Sequence, residues 1–325
     1  MTQVKKSELR HLFTTKLKSK LEGLEKERHD VMITTIWAAI GGITAFVGYL
    51  GFKFDTFSGW PFIIGGLILA LWKGLEAHKK FGAYKDRYKE DIVREIFRLV
   101  DPDLTYIPHN RIPSADYHQS ELFLKGVDRY QGDDYCQGVI GKTAFEFSEL
   151  HTEYKTTTTD SKGRTRTQWH TIFRGIFFHA DFNKYIKSKT FVLPDTAESI
   201  LGSWLGQFFQ SKNFSRDQLV KMEDVTFEKR FVVYSDDQID ARYILTPNMM
   251  TRIIELQEKV GNQIFLAFKG NRVYIAVSYG RNNFEPRLFS SGVAYQDVET
   301  IHTLLTNTLA IVEDLNLNTR IWTKS

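Results

Sequence analysis

Val31 to Phe52 reads VMITTIWAAIGGITAFVGYLGF, 22 residues without a charge. As a helix rising about 1.5 Å per residue it measures about 33 Å, enough to cross a hydrocarbon core of about 30 Å. Its nine Val, Ile, Leu and Phe side chains favour insertion by roughly 3 to 5 kcal/mol, less the cost of the glycines. The link KFDTFSG follows, and then WPFIIGGLILALW, Trp60 to Trp72. Between Asp55 and Lys73 the charge-free window is 17 residues, the lower limit for a spanning helix, which Lys73 can extend by snorkelling. Trp60 and Trp72 bracket this run, where amphipathic rings favour the membrane interface. The alternative is a helical hairpin buried inside a soluble fold. Two adjacent charge-free runs of this length are hard to bury in that way.

A seven-residue link makes the two runs a hairpin. Ala38 with Gly42, Gly41 with Ala45, and Gly65–Gly66 opposite them are the small residues expected to let the helices approach. No charge lies inside either run, so no proton relay or ion path is indicated. Orientation follows from Lys and Arg. Residues 1–30 and 73–98 hold eight basic and five acidic side chains each, whereas the link holds one basic residue, Lys53. The positive-inside rule places both flanks in the cytoplasm and the link outside. Residues 99–325 carry 26 basic against 28 acidic side chains, so the net charge of +4 belongs to the membrane flanks and is no nucleic-acid footprint. The single cysteine, Cys136, can form neither an internal disulfide nor, alone, a structural zinc site. A charged region of 30 residues before the apolar run, with no A-x-A-like site after it, is not the pattern of a cleaved secretory signal.

The expected organisation is a cytoplasmic helix over 1–30, spanning helices over 31–52 and 60–75 with an external link over 53–59, a stalk helix over 76–100, a linker over 101–113 and a cytoplasmic α+β domain over 114–325. Leu9, Phe13, Leu17, Leu21 and Leu24 form one apolar stripe, mirrored by Leu75, Phe81, Tyr84, Tyr88, Ile92, Ile96 and Val100. Both spanning helices are therefore expected to continue into an antiparallel stalk. In the rival arrangement residues 5–30 lie flat on the membrane, where Glu22, Glu25, Glu27 and Asp30 would meet anionic lipid unfavourably. Three prolines between Asp101 and Pro113 end the second helix.

In the C-terminal domain, Tyr135–Ile140 and Thr143–Tyr154 read as strands joined at Gly141-Lys142, and Gln168–Phe182 as a long strand. The polar run Thr156–Thr167 reads as a loop between them. Asp195–Gln210 reads as a core helix and Phe227–Tyr234 as a strand. Ser235 is the expected cap of a helix with Gln238 in capping-box position. Thr246-Pro247 opens a helix that ends at Gly261. Gln263–Phe268 and Arg272–Ser278 read as a hairpin around Gly270-Asn271, and Tyr295–Leu315 as a final helix. Antiparallel strands without a repeated strand–helix–strand pattern exclude a Rossmann or P-loop sheet.

Little chemistry stands out. Gly138-Val-Ile-Gly141-Lys142-Thr143 lacks the first P-loop glycine, since Cys136 occupies that place, and it reads as a turn. His151 between Glu149 and Glu153, and His179 before Asp181, could bind metal if alternate strand positions bring them to one face; solvated surface side chains are the simpler reading. A Ser–His–Asp triad has no supporting motif. Asp236, Asp237 and Asp240, near Arg242, are expected to serve a helix start and a local ion pair.

The stretch FEKRFVVYSDDQIDARYILTP, with Phe227, Phe231, Tyr234, Asp237, Arg242, Thr246 and Pro247, resembles the signature of the bacterial domain-of-unknown-function family 3137. Ser120–Leu150 and Ile172–Lys184 resemble it as well. The resemblance implies a bacterial inner-membrane protein with a cytoplasmic domain. It supplies no activity, cofactor or catalytic residue, and it suggests a LemA-type membrane protein as partner. The expectation is a non-catalytic, membrane-anchored interaction or scaffolding protein, with neither cofactor nor nucleic-acid partner. The alternatives are a membrane-anchored hydrolase or metal-dependent enzyme and a lipid-sensing pleckstrin-homology-like module. A pore is the least supported reading, because two helices without a polar lining need many copies.

Overall fold

The long charge-free runs and the apolar stripes on either side of them produce two continuous helices in the computed structural model, Lys6–Lys53 and Trp60–Val100. The structure describes residues 2–55, 58–195, 219–315 and 317. The first helix is α1 (Thr2–Leu12), a π-helical turn (Phe13–Leu17) and α2 (Lys18–Lys53). The second is α3 (Trp60–Tyr88), a π-helical turn (Lys89–Val93) and α4 (Arg94–Val100). The chain divides into two compact units, one of residues 1–102 and 284–302, the other of residues 103–283 and 303–325.

In the helical unit the stripe does what its spacing predicts. Leu9, Leu17, Leu21 and Leu24 are buried, as are Tyr84, Tyr88, Ile92 and Ile96. Leu75 departs from it and is exposed. Ion pairs cross between the helices: Lys16 to Glu95 at 2.7 Å, Lys80 to Asp30 at 2.9 Å, and Arg87 to Glu27. Exposed pairs of this kind contribute little stability each, but their order along the helices fits one antiparallel register. Glu27 and Asp30, which the flat arrangement would have turned toward lipid, thus pair with the second helix.

Of the small residues expected at the contact, Gly41, Ala45 and Gly66 are there and Gly42 and Gly65 are not. Gly41, Ala45 and Gly48 face Gly66, Ala70 and Gly59, with backbone against backbone. Gly42 and Gly65 have no atom within 4 Å of where a Cβ would sit. The contact face repeats at about 3.6 residues, so only one glycine of each adjacent pair reaches it.

Residues 284–302 also belong to this unit, which the sequence pattern did not indicate. Phe284 packs on Phe97 with ring centroids 5.8 Å apart, and Tyr295 on Phe13 at 5.3 Å. Arg28 Nη1 donates to the Leu288 carbonyl at 2.6 Å, while Glu25, itself paired with Arg28, accepts from Gly292 N at 3.2 Å.

The other unit is a seven-stranded antiparallel sheet: β1 (Thr105–Ile107), β2 (Arg129–Ile140), β3 (Thr143–Thr159), β4 (Thr165–Pro194), β5 (Leu219–Val220), β6 (Phe231–Ser235) and β7 (Gln263–Ser278). Its order is β1-β2-β3-β4-β6-β5, with β7 on the other edge of β4. Among the described residues no pairing joins β7 to β1. Its helices are α5 (Ser114–Gln119), α6 (Val225–Glu228), α7 (Gln238–Ile244) and α8 (Pro247–Val260). The last helix, α9 (Tyr295–Asp314), is the final helix expected from Tyr295 on, and it buries Val298, Ile301, Leu305 and Val312.

Several local expectations change. Thr156–Thr159 and Thr165–Thr167 are strand, and the turn shrinks to residues 160–164, where Asp160 accepts from the Lys162 and Arg164 amides. Threonine is β-branched and suits an exposed strand, so polarity was the wrong signal. The Gly270-Asn271 hairpin is absent; β7 continues through it as one strand, paired with β4 from Gly175↔Ser278 to Val192↔Leu266 with register shifts opposite Gly270. A type I′ turn needs two residues at positive φ, and only Gly270 has it, at 63°. Phe227 lies in α6, capped by Asp224, so the strand begins at Phe231. Asp237, rather than Ser235, caps α7. The Gly141-Lys142 turn and the Thr246 cap are as expected. The helix expected over Asp195–Gln210 lies outside the described residues.

Candidate functional site

Strand register builds one polar row across the sheet. Thr105 pairs with Gln137, Gln137 with Glu146, Glu146 with His179, and His179 with Tyr274. Directly paired residues point to the same face, as do residues two apart on a strand. Asp181 and Arg272, which pair with each other, therefore join the row. Thr105, Gln137, Glu146, His179, Asp181 and Arg272 line a cleft of about 530 Å³.

His179 is 3% exposed. Its Nε2 has no hydrogen-bond partner among the described residues, and the nearest acid oxygen, Glu146 Oε2, is 3.7 Å away. Burial lowers the His179 pKa, with Glu146 opposing, so the imidazole is neutral at neutral pH. The same oxygen is held by Tyr135, whose Oη lies 2.8 Å from Glu146 Oε2 and 2.8 Å from Gln137 Oε1. Arg272 Nη1 donates to Asp116 Oδ1 at 3.1 Å.

Glu149 and His151 lie on the opposite face. Glu149 pairs with Ile176 and His151 with Arg174, an odd number of residues from the Glu146–His179 pair. The four residues expected as weak metal ligands thus split two and two, and they cannot share an ion. His151 Nε2 sits 3.3 Å from Thr171 Oγ1 and 3.7 Å from Glu153 Oε1. Glu149 meets Asp133 and Asp134 at the β2 bulge, their carboxylate oxygens within 4.8 Å of one another. Asn283 donates its backbone N–H and its Nδ2 to Glu149 Oε1 at 2.8 and 2.7 Å, and Tyr106 donates to Asp134 at 2.5 Å.

Burial, aided by the Asp134 charge and opposed by Asn283, pushes the Glu149 pKa from 4.5 up to about 8. The folded state therefore holds a proton that the unfolded chain releases. The stabilisation is complete below the unfolded pKa and is lost as pH rises through the folded one. Glu149→Gln keeps a neutral acceptor for Asn283. Its thermal midpoint should gain on that of the native protein as pH is raised from about 5 to about 8.5. An unchanged difference across that range would remove the protonated-carboxyl account.

Asp236 accepts from Lys189 N at 2.7 Å, and Asp237 caps α7. Arg242 turns to Gln238 and the Lys221 carbonyl, each at 3.5 Å, in place of the expected acid pair. Phe227, Phe231 and Tyr234 are core residues, and Thr246-Pro247 starts a helix. The signature stretch is therefore built mainly from packing and capping residues. Trp60 and Trp72 are exposed, and the Lys73 ammonium lies 4.7 Å from the Trp72 ring centroid.

Residues 171–317 match the family model described as "Protein of unknown function (DUF3137)", the family that the signature stretch resembles. No curated protein matches the chain. Among solved structures it is similar to the crystal structure of the mycobacterial trehalose monomycolate transport factor A, TtfA, at 10% identity and a TM-score of 0.30, covering 64% of this chain and 88% of that one. A likeness at that score carries no argument about activity.

Proposed function

We propose that this chain, whose residues 171–317 are a DUF3137 domain, is a non-catalytic, membrane-anchored interaction protein of the bacterial inner membrane. One observation carries the anchor. Two helices are long and apolar enough to span a membrane, and they leave their apolar side chains uncovered. Ile33, Ile40, Phe46, Leu67, Ile68 and Leu71 are among the large side chains exposed along them. A core helix of a soluble protein buries such residues, whereas lipid solvates them. The charge asymmetry supports an external link at 53–59 and cytoplasmic N- and C-termini. The partner is a protein met at the cytoplasmic surface, a LemA-type membrane protein being the first to test.

Topology tests the anchor. In a Cys136→Ala background, Ser58→Cys should react with an impermeant maleimide in intact cells, and Ser161→Cys only after permeabilisation. The reverse pattern overturns the orientation, and extraction of the protein by alkaline carbonate overturns the anchor. Cross-linking in its own host followed by mild-detergent recovery should return a near-stoichiometric partner. If none is recovered, the enzyme and lipid-sensing readings move ahead.

A further inference from the structure

We propose that the cleft on the β3–β4 face binds one divalent transition-metal ion of the zinc class, ligated by His179 Nε2 and the Glu146 carboxylate. Buried polar atoms in folded proteins are nearly always paired. His179 Nε2 is buried and unpartnered among the described residues, and it borders the cleft. Its 3.7 Å separation from Glu146 Oε2 is too long for a hydrogen bond. It suits two donors that each stand about 2.0 to 2.1 Å from a shared ion.

The surroundings fit a cation. Asp103, Glu146 and Asp181 line the cleft against one base, Arg272, whose guanidinium is drawn to Asp116. Tyr135 donates to Glu146 Oε2, a hydrogen bond of the kind that fixes a metal-ligating carboxylate. A nitrogen donor beside carboxylates favours zinc-class ions over calcium or magnesium, which take oxygen ligands. The site is independent of the membrane anchor. It is also distinct from Asp133, Asp134 and Glu149, which lie on the other face and have their own donors.

The test is titration of the metal-stripped, full-length protein in mild detergent with Zn²⁺, alongside His179→Gln, Glu146→Gln and Glu149→Gln. The native chain should take up one equivalent. Affinity should fall at least about tenfold in each of the first two variants and hold within about twofold in Glu149→Gln. If His179→Gln fails to fold, Glu146→Gln, which keeps an acceptor for Tyr135, still decides. The proposal is overturned if the folded native protein binds no stoichiometric Zn²⁺, if binding survives the cleft variants, or if it is lost in Glu149→Gln.

Discussion

Gly175→Ala should destabilise the sheet by about 3 kcal/mol, the upper end for overpacking. Gly175 sits in β4 between Leu150 of β3 and Ser278 of β7. A Cβ there would lie 2.0 Å from the Val277 carbonyl oxygen and 3.0 Å from Tyr279 N. Both are backbone atoms, so no side-chain rotation relieves the clash. The strands must part, and the Tyr279 and Gly280 amides that donate to the Arg174 carbonyl, each at 3.1 Å, stand next to the break. Gly126→Ala is the matched control, with no atom within 4 Å of its Cβ position; surface changes of that kind stay within about 0.5 kcal/mol. Hydrogen exchange of the full-length protein in mild detergent should show faster exchange along β4 and β7 in Gly175→Ala alone. Equal exchange in both variants would mean that the sheet accommodates the methyl, and the close approach would carry no energetic weight.

The helices were readable because periodicity, charge and length all agree over Lys6–Lys53 and Trp60–Val100. The sheet was readable where apolar alternation and a glycine turn coincide, as at Gly141. It was misread where one signal stood alone. Polarity suggested a loop at Thr156–Thr167, although β-branching favours a strand. A Gly-Asn pair suggested a hairpin in what is a single bent strand, because the sequence does not reveal whether one or two residues take positive φ. The site was half legible. His179 and Asp181 were singled out, but Glu146 was not, since it meets His179 only through the β3–β4 register, 33 positions along the chain. The same register sends Glu149 to the opposite face. Parity between strands depends on turn length and bulges, which no local pattern specifies. The attachment of residues 284–302 to the helical unit rests on long-range contacts such as Arg28 to Leu288, which leave no periodic trace.

Two neighbouring glycines offer a sharper test of the hairpin. Gly66→Ile should drive the spanning helices apart, whereas Gly65→Ile should be tolerated. A Cβ on Gly66 would meet Ala45 N at 2.5 Å and Gly41 O at 2.6 Å, while one on Gly65 would meet nothing within 4 Å. Gly41 is equally confined, its Cβ position 2.6 Å from Ala70 N. Backbones this close leave no room for a branched side chain, and membrane helices associate through packing of this kind. The two substitutions add the same apolar surface, so hydropathy and helix propensity cancel in the comparison. The expected loss for Gly66→Ile is about 1 to 3 kcal/mol or more, read as a lower thermal midpoint in mild detergent and faster proteolysis of the stalk. The side chain introduced by Gly65→Ile would point outward into lipid and cost nothing, provided the helices span a bilayer. Equal damage from both variants would contradict the one-sided contact face. Damage from Gly65→Ile alone would move the contact face from Gly66 to Gly65.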